Sequence, residues 1–317
     1  MNNIKILVFV MLIFNASIEV WASTNKPIKS LYNQINQIYK DTRMDPSGNK
    51  LPKKFYSDNF SPIINSEALS DFSGIELEYL FQATKTAIAY DPDVNYAKDM
   101  ARVLHYLKIK NLVKERHLVA LQEAYIATRQ FELASNMVEQ KSSGYLQVIP
   151  EVHRVGEKTS RHPTIWKVEK NSIKQSAFSI PDNGPFILVA SNPLCSFSIS
   201  AAQHIIVDEE LLEIFSEYSY WLTEPRGKLY IEGFLDWSRN YPSLPTGLMH
   251  ETPPWSELPE LRSNIGTPAF YFFSDGKFIE YFVGWPREGE PEALNNALRN
   301  VGLNRSEKQI SVMNRGG

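Results

Sequence analysis

Cys195 is the single cysteine among 317 residues, and it closes the motif Ser191-Asn192-Pro193-Leu194-Cys195, directly after the apolar run Phe186-Ile187-Leu188-Val189. Such a run reads as a buried strand. Residues 199–218 behind the cysteine read as a helix with Ala202, Ile205 and Ile206 along one side, interrupted near Asp208-Glu209-Glu210. A thiol placed where a strand opens into a helix faces unpaired backbone N–H groups and the positive end of the helix dipole. That contribution, about 0.3–2 kcal/mol, favours the thiolate, which is the reactive form. Ser198 stands one helical turn on, where a second cysteine would make a C-x-x-C redox pair. Its hydroxyl can donate to the sulfur but cannot resolve a mixed disulfide, and no bridge can close within the molecule. Three uses of a lone sulfur stay open: monothiol exchange, in which a second thiol releases Cys195 from a mixed disulfide; peroxide chemistry through a sulfenic acid; and none, with Cys195 a small buried hydrophobe.

Other chemistries lack their residues. The six histidines, His105, His117, His153, His162, His204 and His250, show neither H-x-x-x-H nor H-x-H spacing, so no metal site is expected. His204 lies on the helix after Cys195 but two and a half turns along it, too far to activate the thiol. No G-x-S-x-G, P-loop or dinucleotide fingerprint occurs, and no cofactor is expected. The formal charge of −3 comes from interspersed acids and bases, which disfavours nucleic acid and anionic membrane surfaces as partners.

The elements that must position these residues follow from periodicity. Residues 23–142 read as a helical domain: a short helix at 28–39, a loop at 45–54, a stripe through Leu77, Leu80, Phe81 and Ile88, a break at Asp91-Pro92-Asp93, and further stripes through Ala97, Met100, Leu104, Leu107 and Leu118 onward. Leu121, Tyr125, Phe131 and Ala134 stand at separations that resemble a tetratricopeptide repeat, which would make this domain a docking surface; no second copy appears at the 34-residue period. Residues 143–183 read as a β-containing linker with strands at 145–149 and 164–168. Beyond 184 come the strand at 186–190, the helix, a strand at 220–223, an irregular proline-rich segment, and a closing hairpin around Asp275-Gly276, followed by a helix at 288–299.

Three features in this order resemble the thioredoxin-like family. The strand leading into Cys195 is similar to the central strand and first active-site cysteine, Thr267-Pro268 is similar to the pair containing a cis-proline that faces it, and residues 269–285 with Leu294, Ala297 and Leu298 are similar to the closing hairpin and terminal helix. The resemblance implies an α/β thioredoxin-like domain at 184–303, a mixed central sheet flanked by helices, behind the N-terminal all-α helical-hairpin domain. The segment at about 226–255 exceeds the usual connection and reads as an insertion, and 304–317 as a flexible tail. It further implies catalytic roles for Cys195 and Ser198 and a substrate platform at Thr267 and Pro268. Two positions depart from the family: Leu194 stands where a tryptophan is common, and Val189 where a buried acid is common.

Residues 1–22 read as a cleavable signal peptide: Lys5 precedes the apolar run 6–14, and small residues at Val20 and Ala22 suit cleavage before Ser23. No cysteine follows that point, so a lipoprotein is not expected, and no later stretch reaches membrane-spanning length. The expectation is a periplasmic or secreted protein performing monothiol-type thiol–disulfide exchange on protein substrates. The alternative is a non-catalytic binding or assembly protein with a degenerate thioredoxin-like scaffold and a helical docking domain.

Overall fold

The computed structural model describes residues 27–42, 50–140, 144–155, 164–224, 227–249 and 267–305. Residues 1–22, read above as a signal peptide, Trp255 and the tail beyond 305 lie outside the described residues. The N-terminal half is helical: α1 Ile28–Thr42, α2 Lys50–Asn59, the single turn α3 Ser61–Ile64, a 3₁₀ turn Glu67–Asp71, α4 Gly74–Tyr90, α5 Val94–Ile109, α6 Glu115–Ala127 and α7 Phe131–Gln140. Polar side chains set its boundaries. Ser73 and Glu76 form a reciprocal capping box at the start of α4, and Asp93 accepts from the Asn95 amide at the start of α5. Residues 50–54, expected as loop, instead begin α2; Pro52 sits in the first turn, where a missing N–H costs nothing. The stripes converge on one core containing Ile35, Tyr56, Phe60, Leu77, Leu80 and Phe81.

One buried polar cluster makes this half pH-sensitive. The Lys114 amide donates to His117 Nδ1 at 3.0 Å, which leaves Nε2 to carry the proton toward Glu78 Oε2 at 2.9 Å. Burial pushes the Glu78 carboxyl up, but hydrogen bonds from Gln82 and His117 and the charge of Arg116 outweigh it and hold its pKa below the ordinary value. A carboxylate depressed in the folded state stabilises above its unfolded pKa and loses that contribution as pH falls through the folded pKa. Glu78→Gln is expected to cost about 1–2 kcal/mol at pH 7 by urea denaturation, with the gap to wild type closing as the medium is acidified through the carboxylate range.

The C-terminal half is built on one eight-stranded sheet in the order β1-β3-β2-β6-β5-β4-β7-β8. Its strands are β1 Glu151–His153, β2 Thr164–Val168, β3 Ser172–Ala177, β4 Pro185–Ser191, β5 Ser219–Thr223, β6 Thr246–Met249, β7 Ala269–Ser274 and β8 Lys277–Val283. Its helices are α8 Ser196–Val207, α9 Glu209–Tyr218, α10 Ile231–Asn240 and α11 Glu292–Asn300. The central strand β4 pairs parallel with β5 and antiparallel with β7 along its edges and is packed on both faces, which is why its sequence is a continuous apolar run. Ile187 and Val189 pack with α8, α9 and α11, while Phe186, Leu188 and Ala190 face the opposite side with Tyr271 and Phe273. Asp208 ends α8 and caps α9, accepting from the Leu211 amide, which is the interruption read from the acidic triplet.

The structure differs from the expected elements in several places. The segment at 226–255, expected as irregular chain and an insertion, supplies α10 and β6, and β6 lies inside the sheet, parallel to β5 and antiparallel to β2. Trp237 and Tyr241 from it are buried in the domain core. Residues 145–149, expected as a strand, form none. The Gln147 amide and carbonyl are satisfied by the Gln122 side chain, at 2.8 Å each, and so need no neighbouring strand. The terminal helix starts at Glu292, and Arg305, assigned to the flexible tail, is buried. No helix among the described residues is long and apolar enough to cross a membrane.

Candidate functional site

The loop after β4 is folded by Asn192. Its side-chain oxygen accepts from the Leu194 amide at 2.9 Å and its carbonyl accepts from the Cys195 amide at 2.9 Å, so the chain turns and places Cys195 at the N-cap of α8. Pro193 is buried beneath the turn, while Leu194 and Phe197 are 51% and 43% exposed beside the thiol. Gly233 on α10 lets that helix approach: a Cβ there would stand 3.0 Å from Leu194 Cδ2.

The structure brings together the four residues singled out in the sequence. Cys195 Sγ lies 3.4 Å from the Thr267 carbonyl oxygen, and the Thr267–Pro268 peptide is cis. Ser198 is fully buried one turn along α8, and its Oγ accepts from the Asn192 amide at 3.3 Å. Hydroxyls donate as well as accept, so this one is held in place while its proton remains for the sulfur. The thiol–carbonyl contact belongs to the protonated form of Cys195; the thiolate is served by other donors. Burial pushes the Cys195 pKa up, but hydrogen bonds from the Thr267 side chain, the Ser198 and Phe197 amides and the Ser198 hydroxyl outweigh it and hold it below the ordinary thiol value. His204 is turned to other work, its Nδ1 being 3.0 Å from the Trp285 indole nitrogen.

Cys195 opens into a cavity of about 520 Å³, whose other wall no sequence motif marks. Asn192, Pro193, Thr223 and Thr267 line it from the sheet side, Lys228 and Tyr230 from the loop between β5 and α10, and Glu123 and Arg129 from the helical half. Arg129 follows α6 in the left-handed region at φ 55°, and its guanidinium is fixed by Nε to the Met249 carbonyl at 2.8 Å. Gln147 donates from its side-chain amide to the Leu229 carbonyl and accepts from the Leu229 amide, so the Gln122–Gln147 pair also ties α6 to the cavity loop. No motif marks Glu123 or Arg129; the residue types are common, and only packing gives them a common target.

Among the described residues no cluster of His, Cys, Asp or Glu could hold a metal ion. The mixed sheet, with flanking helices and an N-terminal helical region, fits a thioredoxin-like α/β fold, since the central strand that leads to the cysteine has one parallel and one antiparallel neighbour and the sheet ends in a closing hairpin. No family model matches the chain, and no curated protein matches it in sequence. Among solved structures the chain is similar to a thioredoxin-like protein from Bacteroides caccae, at 10% identity over 87% of this chain and 93% of that one, with a TM-score of 0.29.

Proposed function

We propose that this chain performs monothiol-type thiol–disulfide exchange through Cys195 on protein substrates, after export to a periplasmic or secreted setting. The observation that carries the reading is a partly exposed thiol at the N-cap of α8 whose pKa is lowered by donors from Thr267 and Ser198. The thiolate attacks one sulfur of a substrate disulfide, forming an Sγ–S bond as the S–S bond breaks; the departing thiolate takes a proton from water. A second thiol, after ionising, attacks the mixed disulfide and returns Cys195 as thiolate. The exposed Leu194 and Phe197 flank the point of attack and suit an extended segment lying beside Thr267. The apolar leader at residues 6–14 supports export.

Alkylation kinetics test this. Cys195 is expected to react with iodoacetamide at pH 7 faster than in the urea-denatured chain, with a midpoint below that of a free thiol. Ser198→Ala is expected to slow the reaction several-fold and move its midpoint upward, because the thiolate loses a donor. A rate no faster than the denatured control would leave the sulfur inert and the exchange reading without support.

A further inference from the structure

The cavity beside Cys195 has a lining that a protein-disulfide platform does not need. Its volume of about 520 Å³ falls within the roughly 300–1,000 Å³ typical of small-molecule sites. One acid, Glu123, and one base, Lys228, line it together with Cys195, so it presents charges of both signs. A polyanion or polycation would meet repulsion from half of that set, whereas a compact ligand bearing one ammonium and one carboxylate matches it. The second observation is independent of the thiol. Thr223, at the end of β5, lines the cavity with only 6% of the residue exposed, and its hydroxyl has no hydrogen-bond partner among the described residues. An orphan hydroxyl in a buried position is costly unless something else completes it.

Resting on the exchange reading above, we infer that this cavity binds a low-molecular-mass thiol or disulfide built on an amino-acid zwitterion, with its sulfur presented to Cys195. The helical half is then part of the site, since Glu123 and Arg129 form its far wall. A disulfide of this class, RSSR, is attacked by the Cys195 thiolate; Sγ–SR forms, S–S breaks, and RS⁻ leaves and is protonated by water. A second thiolate R′S⁻ attacks the mixed disulfide, releasing RSSR′ and the Cys195 thiolate. Two electrons stay shared between sulfurs throughout, and no external oxidant or reductant is consumed.

The test uses the full chain without its leader and two kinds of probe. L-cystine and the uncharged 2-hydroxyethyl disulfide report exchange, by the rate at which Cys195 gains one half of the reagent in intact-mass spectra. S-methyl-L-cysteine, which cannot exchange, reports binding alone. Wild type is expected to react with cystine about tenfold faster than with the uncharged reagent, and Glu123→Gln or Lys228→Gln to bring the ratio toward one. S-methylcysteine is expected to bind saturably to wild type and to Cys195→Ser, and not to the Glu123→Gln/Lys228→Gln double variant. Equal rates for the two disulfides, or no saturable binding of the thioether, overturns the zwitterion site while leaving exchange intact. Saturable thioether binding with no exchange by either disulfide keeps the site and removes the exchange reading instead.

Discussion

Trp166→Ala is expected to lower stability by about 3–5 kcal/mol in urea denaturation and, in the molecules that remain folded, to speed alkylation of Cys195. Trp166 lies on β2 with no exposed surface, its ring 5.0 Å from that of Phe131 at 87°, an edge-to-face contact. The Arg154 guanidinium sits over it at 5.1 Å. The core it belongs to contains Ile126, Phe131 and Ala134 from the helical half and Leu229, Phe234 and Leu248 from around the Cys195 cavity. Truncation removes the largest side chain at that junction, and the space cannot be refilled from either side without moving α7 or β6. Loss of this packing frees the loop at Leu229, one wall of the cavity, which is why reactivity is expected to rise as stability falls. Trp166→Phe, which keeps an aromatic ring, is expected to lose less on both measures. A loss below about 1 kcal/mol for the alanine variant would mean that the helical half and the sheet are energetically separate, and that Glu123 and Arg129 line the cavity only loosely.

Arg305→Met is expected to cost about 3–5 kcal/mol, read as a fall of several degrees in thermal midpoint. The Arg305 side chain is 4% exposed and bonds Asp208 at 2.6 Å and Glu290 at 2.6 Å, with Glu210 at 3.6 Å. One guanidinium thus holds three carboxylates from the α8–α9 corner and the segment before α11. Removing it leaves buried like charges facing one another, and that repulsion, more than the lost bonds, sets the cost. Adding Asp208→Asn and Glu290→Gln to Arg305→Met is expected to restore much of the loss, because asparagine still caps α9 and the uncompensated charge falls by two. Equal midpoints for the single and triple variants would show that the pairs contribute little.

The positions of Cys195 and Ser198 were legible because their relation is local: a buried strand, a turn and one helical turn determine it. The hairpin at Asp275-Gly276 was legible for the same reason, both residues taking positive φ, at 50° and 71°, in the two-residue connection of β7 and β8. Local pattern misled where a side chain did the work of a strand, as at Gln147, whose backbone is paired by the Gln122 amide. It misled again at 246–249. Four residues among prolines look like irregular chain, and nothing in their order says that they will enter a sheet between β5 and β2.

By itself, the amino-acid sequence determined that this protein has one thiol, that it stands at the mouth of a helix behind a buried strand, and that a hydroxyl and not a second thiol follows it at C-x-x-S spacing. Only the tertiary structure decided what that sulfur faces. Thr267 reaches it through the antiparallel pairing of β4 with β7, and Glu123 and Arg129 through the packing of α6 and α7 on β2 and β6, contacts between residues some seventy positions apart in the chain. Those depend on which apolar faces find one another, and periodicity specifies that a face is buried but not what covers it.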